Sequence, residues 1–498
     1  MKKIFLLTSF LSIVFTSTAQ NYETCLKYFQ ENKYTEAVSG LKNIVASGGN
    51  TKDAALLLSM VQFDLRNYTD AFKSFEIFYK QSDDPYPYLY AELNNGLFDM
   101  REKDQQAFLE KVLKDPKATS ELKILVIEKL RTVLTSAGDF TAVRALNDNT
   151  GIVNNWSVVG VFDNTSGSGF NKNFGFLEHP EADHVFTSKG GFDIKWFDIP
   201  GVKNDGWYDN EFYFYPENTI IAAQTFIQSD KDKEVLLKVG VSGSLKLWLN
   251  DYLVDSEYQE RNTNGDVYTC KVKLQAGTNR ILVQTGSSEI TKNNFLVRLY
   301  DLNNNPLTDI IAQPRYKPYT KAAPYQVVKI PLFAEKYFED KLAVTSGNDF
   351  INSLFLYYVY FANEHKEPCY ELLKKLKKQY PVSSCISWMA ARYAEIDNNQ
   401  VLASKEKESI IAKDPECPVA LLLRYSEAFE KGKWDDAQTL NERYIALYGA
   451  SEKTEEKKLT LLSKKKETER LNQELDLAYS LYPLNKNIVE EKYFAVLN

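Results

Sequence analysis

Three histidines, His179, His184 and His365, stand among 498 residues. The one dense cluster of possible metal ligands, His179, Glu181, Asp183 and His184, lies in Glu178-His179-Pro180-Glu181-Ala182-Asp183-His184. A proline interrupts the run, so His179, Glu181, Asp183 and His184 do not share one helix face, and a solvated loop without metal is expected. Asp163-Asn164-Thr165-Ser166-Gly167-Ser168-Gly169 is rich in glycine yet lacks the Gly-Lys-Ser/Thr ending that carries a lysine to a nucleotide phosphate. Neither a Gly-x-Ser-x-Gly elbow nor a Cys-Gly-x-Cys context supplies a nucleophile for a histidine. The 67 acidic residues contain no pair that its neighbours single out for sugar hydrolysis. The expectation is a non-catalytic chain with no catalytic residue and no cofactor.

Aromatic side chains offer binding chemistry instead. The sequence holds 31 tyrosines and 29 phenylalanines, enough to supply helix cores, strand faces and stacking surfaces. Trp248 alternates away from Leu245, Leu247 and Leu249 and so lies on the second face of its strand. With Trp207, Tyr208, Asn250 and Tyr252 it forms the candidate ligand-binding set, suited to stacking a sugar. Burial under loops or against helices is the favoured alternative, because large aromatic side chains are mostly buried. Five cysteines, Cys25, Cys270, Cys369, Cys385 and Cys417, are too scattered for a disulfide scaffold. Export leaves one or two bridges open, and Cys385 and Cys417, which open successive helix pairs, are a candidate pair.

The elements that position these residues are of two kinds. Between Gly151 and Gln313 short alternating runs are separated by Asn, Gly, Asp and Ser, the pattern of antiparallel strands. Val235, Leu237, Val239 and Val241 share one face, as do Leu245, Leu247 and Leu249, and Val241-Ser242-Gly243-Ser244 is expected to join the two runs as a hairpin. Further strands are expected at Trp156–Phe162, Phe192–Phe197, Ile220–Ile227, Val267–Leu274, Arg280–Gln284 and Phe295–Tyr300, making a β-sandwich. Outside this region helical spacing prevails. Pro381, Pro415, Gly449 and Pro483 recur every 34 residues. Two core columns keep that period, Cys369-Ala403-Ala437-Leu471 and Leu376-Ile410-Tyr444-Ala478. Tyr34-Thr35-Glu36-Ala37 and Tyr68-Thr69-Asp70-Ala71 repeat it near the other end. Such a period marks stacked helix pairs.

These residues, with Gly432-Lys433-Trp434 before Ala437, resemble the tetratricopeptide repeat over roughly Phe350 to Tyr482. Lys407 and Asn441 stand where that family prefers an aromatic residue or Leu, which implies local irregularity. Leu245-Lys246-Leu247-Trp248-Leu249-Asn250-Asp251-Tyr252-Leu253-Val254, followed by Leu274-Gln275-Ala276-Gly277-Thr278-Asn279-Arg280-Ile281-Leu282-Val283, resembles the jelly-roll, galactose-binding-like modules attached to glycoside hydrolases. The family usually has Gly where Asp251 stands, and Asn250-Asp251 still suits a tight turn with positive φ. With Trp156-Ser157-Val158-Val159-Gly160-Val161-Phe162-Asp163-Asn164 and the helical arms, the whole resembles the amino-terminal region of exported bacterial transglutaminase-like proteins. In those proteins the catalytic Cys, His and Asp lie in a later domain, and this chain stops at Asn498 without it. The resemblance therefore implies a recognition role and carries no catalytic residue onto this chain.

Met1-Lys2-Lys3, the apolar run Ile4–Phe15 and Ser17-Thr18-Ala19 have the order of a signal peptide cleaved after Ala19. No later segment has the length and apolarity of a membrane helix, so a periplasmic or secreted protein is expected. The expected organisation is a signal peptide at 1–19, a tetratricopeptide-like helical domain at 20–150, the β-sandwich at 151–313, a linker at 314–349 and a second helical domain at 350–498. A net charge of −7 without a basic patch argues against nucleic acid. The expected partner is a protein or peptide of the cell envelope, or a glycan.

Overall fold

The computed structural model describes residues 21–498 except 49–50, 100–102, 137, 149, 200–204, 346–348, 484 and 498. The expected signal segment at 1–19, and Asn149 near the expected end of the first arm, lie outside the described residues. Among the described residues eight helices come first: α1 (Tyr22–Gln30), α2 (Tyr34–Ser47), α3 (Thr51–Asp64), α4 (Tyr68–Gln81), α5 (Tyr86–Asn95), α6 (Lys103–Lys114), α7 (Ser120–Ser136) and α8 (Phe140–Asn147). Strands follow: β1 (Ser157–Asp163), β2 (Phe186–Thr187), β3 (Asp193–Ile194), β4 (Phe197–Asp198), β5 (Tyr208–Asp209), β6 (Thr219–Ser229), β7 (Lys233–Leu249), β8 (Tyr252–Asn262), β9 (Tyr268–Leu274), β10 (Gly277–Ser287), β11 (Asn294–Tyr300), β12 (Ala312–Gln313) and β13 (Val328–Ile330). Ten further helices follow among the described residues: α9 (Phe333–Val344), α10 (Phe350–Ala362), α11 (Lys366–Gln379), α12 (Ser384–Ile396), α13 (Gln400–Lys413), α14 (Pro418–Glu430), α15 (Trp434–Tyr448), α16 (Glu452–Lys464), α17 (Thr468–Leu481) and α18 (Lys486–Leu497). Helices thus flank an antiparallel sheet of eleven strands, the mixed α and β class expected. None of the described helices is long and apolar enough to cross a membrane.

The helical period is visible in the elements themselves. α11, α13, α15 and α17 begin at 366, 400, 434 and 468, and α10, α12, α14, α16 and α18 begin at 350, 384, 418, 452 and 486, both series advancing by 34 residues. Cys369, Ala403 and Ala437 are each at most 1% exposed, Leu471 of the same column is only partly buried, and Leu376, Ile410, Tyr444 and Ala478 are at most 2% exposed. The irregularity expected at Lys407 and Asn441 is absent from α13 and α15. Asn441 is buried and donates its amide to the Thr454 carbonyl at 3.0 Å, while the Lys407 ammonium pairs with Glu395 at 2.5 Å.

The chain forms two compact units, each drawn from separated stretches. One takes the chain up to Ser82, Val382–Cys385 and Ile410–Lys465. There the Asn32 side chain exchanges hydrogen bonds with the Val382 carbonyl (3.0 Å) and the Ser384 amide (2.8 Å), and the Tyr444 hydroxyl donates to the Leu65 carbonyl at 2.9 Å. An early stretch and a late stretch of the sequence therefore share one core, a long-range closure that a period alone does not reveal.

The other unit takes Asp83–Pro381, Ile386–Ser409 and Lys466–Asn498, and contains the sheet. β7 is a single strand of 17 residues, so the hairpin expected at Val241–Ser244 is not formed. Its first half lies between β9 and β11, and its second half between β8 and β10. Gly243 sits at the crossing with φ of 131°, and a Cβ there would lie 2.7 Å from the Gly286 carbonyl oxygen. The passage of one strand through both halves folds the sheet over a shared apolar core. Val235, Leu237, Val239, Val241, Leu245, Leu247 and Leu249 all point into it. The hairpin that does form turns at Asn250 and Asp251, with φ of 51° and 64°.

Outside this core, the segment between β1 and β4 packs Phe176, Phe186 and Trp196 over Trp248 on the outer face of the sheet. Residues 314–349, expected as a linker, hold β13 and α9, and their first part lies along the sandwich as a strap. Arg280, with no exposed surface, joins both coverings. Its guanidinium donates to the Phe176 carbonyl (2.6 Å), the Leu177 carbonyl (3.1 Å), Gln224 (2.9 Å) and Asp251 (2.9 Å). The Tyr319 hydroxyl of the strap donates to both carboxylate oxygens of Asp251 at 2.8 Å.

Candidate functional site

Helix α7 carries a polar stripe on an otherwise apolar body. Glu121, Ile124, Glu128, Arg131 and Thr135 follow one another at steps of three or four residues and so share a face. That face meets the sheet. Ile124 packs on Gly265, where a Cβ would come within 3.3 Å of it. Lys238 of β7, only 1% exposed, reaches the Glu121 carboxylate at 2.5 Å and the Asn304 side chain at 2.7 Å. Burial opposes ionisation of Glu121, but the charge and hydrogen bond of Lys238 outweigh it and hold the carboxyl below its usual range. Beside them Arg298 donates to Asp266 at 2.9 Å and to the Thr150 carbonyl at 2.8 Å. Burial raises the Asp266 pKa against the pull of Arg298, and its second oxygen is buried without a hydrogen-bond partner.

Next to this ionic junction lies a cleft of about 540 Å³, lined by Glu128, Arg131, Thr132, Thr135, Asp205, Trp207, Thr263 and Asn264. The Trp207 indole donates to Glu128 at 3.1 Å, and its ring rests on the backbone of Gly240, where a Cβ would lie 2.7 Å from the ring. Burial raises the Glu128 pKa, opposed by the indole and by Arg131, and burial lowers that of Arg131. The floor is held in place by the turn between β8 and β9. Asn264 donates to the Tyr90 hydroxyl (3.1 Å) and to Asn94 (2.8 Å), its amide donates to the Asn363 side chain (3.0 Å), and Arg261 donates to the Asn363 carbonyl (2.8 Å). Helices α5 and α10 thereby fix one wall and α7 another. The result is a preorganised polar concavity with one aromatic side chain, suited to a small ligand rich in hydrogen-bonding groups.

The chain matches no family model, no curated protein and no solved structure. Its site is therefore read from its own residues.

Of the five candidate ligand-binding residues, Trp207 lines the cleft and the others lie elsewhere. Tyr208 is 2% exposed and its ring packs on Phe295 at 4.8 Å, inside the sandwich core. Trp248 is 7% exposed, packed at 6.5 Å from Phe176 beneath the covering segment. Asn250 is fully buried, donating to Asn279 and accepting from the Arg280 amide, both at 2.8 Å. Tyr252 meets Tyr325 of the strap at 4.9 Å. The His179 and His184 rings stack in parallel at 3.6 Å, and no group of three or more metal-ligating side chains is assembled among the described residues. All five cysteines are free and buried, so Cys385 and Cys417 form no bridge. Glu128, Arg131, Asp205 and Asn264 were not singled out by type and spacing. The available signal was the stripe of charge along α7.

Proposed function

We propose that this chain is an exported, non-catalytic binding or scaffold protein that engages a protein or peptide partner in the cell envelope. The observation that carries this reading is the 34-residue advance of helix starts through α10 to α18, with its buried small and apolar columns. Stacked helix pairs of this kind present long surfaces for a partner chain or tail, and the tetratricopeptide resemblance belongs to the same reading. The jelly-roll resemblance of the sandwich and the likeness to transglutaminase-like proteins make a separately encoded enzyme of that class one such partner.

Cross-linking in the native envelope, followed by mass spectrometry, tests it. The expected result is one co-purifying protein whose cross-links concentrate on the helix pairs. Recovery of the protein alone, or of protein retained in the cytoplasm with residues 1–19 intact, overturns the reading.

A second reading, carbohydrate binding, is favoured by a single observation: Trp207 stands in a polar cleft beside Glu128, Asp205 and Asn264. Tryptophan fluorescence titrated with envelope and dietary glycans tests it. A saturable change that is lost in Trp207→Phe supports this reading, and no response to any glycan removes it.

A further inference from the structure

On helix α16, Lys453 pairs with Glu456, and Lys458 lies 3.9 Å from Glu455. Lys457, between them, pairs with no carboxylate among the described residues. Its ammonium lies instead over the ring of Tyr425 on α14, 3.5 Å from the centroid, and the Tyr425 hydroxyl donates to the Lys457 carbonyl at 3.4 Å. Ring and lysine are thus held together by side chain and backbone at once. The lysine is half-buried, and two further cations stand close: Lys453 one turn earlier on the same helix face, and Arg66 from the turn between α3 and α4. All of these residues belong to the unit without the sheet. Glu456 is near enough to oppose the cations, but it is already engaged by Lys453. An ammonium half out of water among like charges gives up its proton readily. Burial first, then Lys453 and Arg66 against Glu456, pull the Lys457 pKa down to about 8. Desolvation and a second cation alongside are the means by which lysine amines are made nucleophilic.

We propose that Lys457 is a covalent modification site, a nucleophilic amine that condenses with aldehydes, and preferentially with those bearing an anionic group that Lys453 and Arg66 attract. In this step a bond forms from Nζ to the aldehyde carbon and the C–O bond breaks. The oxygen leaves as water with both amine protons, so an imine forms without any oxidant or reductant. The Tyr425 ring covers one side of the amine, and the aldehyde approaches from the other. The proposal does not depend on the partner-binding reading of the helix pairs.

Reductive alkylation of the folded chain tests it, with formaldehyde as a neutral aldehyde and glyoxylate as an anionic one. Each is used with cyanoborohydride, which traps the imine, and the alkylation of every lysine is read by peptide mass spectrometry. Lys405, exposed on α13, is the reference. Near neutral pH only about a thousandth of an ordinary lysine is free amine; lower basicity and partial burial take back part of the advantage of Lys457, so it should react about tenfold faster than Lys405 with formaldehyde. With glyoxylate the ratio should be larger still. The Lys457 rate should level off above about pH 8, whereas an ordinary lysine keeps gaining to about pH 10. Lys453→Met should lower both ratios, that for glyoxylate more, and move the levelling-off of Lys457 to higher pH. Equal rates at Lys457 and Lys405, or a Lys457 rate that climbs to about pH 10 without levelling off, overturn the proposal. Equal ratios for the two aldehydes overturn the preference for an anionic one.

Discussion

Two cation-centred junctions attach covering elements to the sheet, and they differ in how completely their surroundings are filled. At Arg280 the guanidinium meets acceptors from the outer segment, from β6 and from the β7–β8 turn, and the strap closes over Asp251 with Tyr319 and Lys321. At Lys238 and Arg298 the ion pairs are just as deeply buried, yet one oxygen of Asp266 has no partner and the cleft adjoins. The first arrangement satisfies a buried charge and fastens three segments. The second holds a helix to the sheet, leaves one buried carboxylate oxygen without a partner and adjoins a polar cleft. Satisfied burial marks a structural device, and incompletely satisfied burial beside a cavity marks a candidate site.

The sharpest way to break the comparison is Arg280→Met. It takes the guanidinium away from Asp251, Gln224 and two carbonyls, and should cost about 3–5 kcal/mol in urea unfolding, as when one partner of a buried pair is removed. Limited proteolysis should accelerate within the segment between β1 and β4. A loss no larger than that of an exposed substitution would show that the filled junction is not structural.

Lys238→Met should cost somewhat less, about 3 kcal/mol near neutral pH, because Glu121 keeps hydrogen-bonding neighbours. Its pH dependence distinguishes it from simple loss of packing. Glu121 has a depressed pKa in the folded protein, so its contribution is present above the unfolded value of about 4.3 and disappears as pH falls through the folded value. The difference between wild type and variant should therefore shrink as the urea titration is moved from neutral to acidic pH. A constant difference would remove the ion pair from the account.

Asp64, in the unit without the sheet, extends the under-satisfied class. Burial raises its pKa to about 6 against the charge of Arg66 and a hydrogen bond with Cys385, and one of its oxygens is buried without a partner. The folded state then binds the proton more tightly than the unfolded state, so stability falls as pH rises from about 4 to about 6. Asp64→Asn should match wild type at acidic pH and exceed it by about 2 kcal/mol at neutral pH, read by thermal unfolding at both. Equal stability at both pH values would mean that the carboxylate is adequately served where it sits.

The helix pairs were legible because their spacing is local: a period, a closing Pro or Gly and a small residue in each column are all properties of short windows. Most of the long strands were legible for the same reason, but the strand expected at Phe192–Phe197 is two two-residue strands, Asp193–Ile194 and Phe197–Asp198, which pair in different sheets. The expected hairpin at Val241–Ser244 shows what local signals miss. The odd-numbered residues from Val235 to Leu249 keep one phase through Gly243, which a reversal of direction need not preserve, and that unbroken alternation was the sign of one long strand. Asp251 is a parallel case. It departs from the glycine of the resembling modules, and the structure supplies a reason, since its carboxylate takes Arg280, Tyr319 and Lys321. The cleft was least legible. Its walls come from residues 136 positions apart, Glu128 and Asn264, and nothing in either neighbourhood announces the other.

Trp207→Phe probes the open junction with the smallest expected effect. Phenylalanine retains a ring over Gly240 and loses the indole hydrogen bond to Glu128, so the loss should be about 1 kcal/mol, the usual scale for one hydrogen bond. Glu128 would also lose a group that favours its ionised form, so its carboxyl should titrate higher than in wild type, a change visible in carbon-detected NMR of the side chain. A small loss of stability with that upward shift is expected of a cleft wall. A loss comparable to that of Arg280→Met would instead make the indole a plug that holds α7 to the sheet, and the two junctions would then be of one kind.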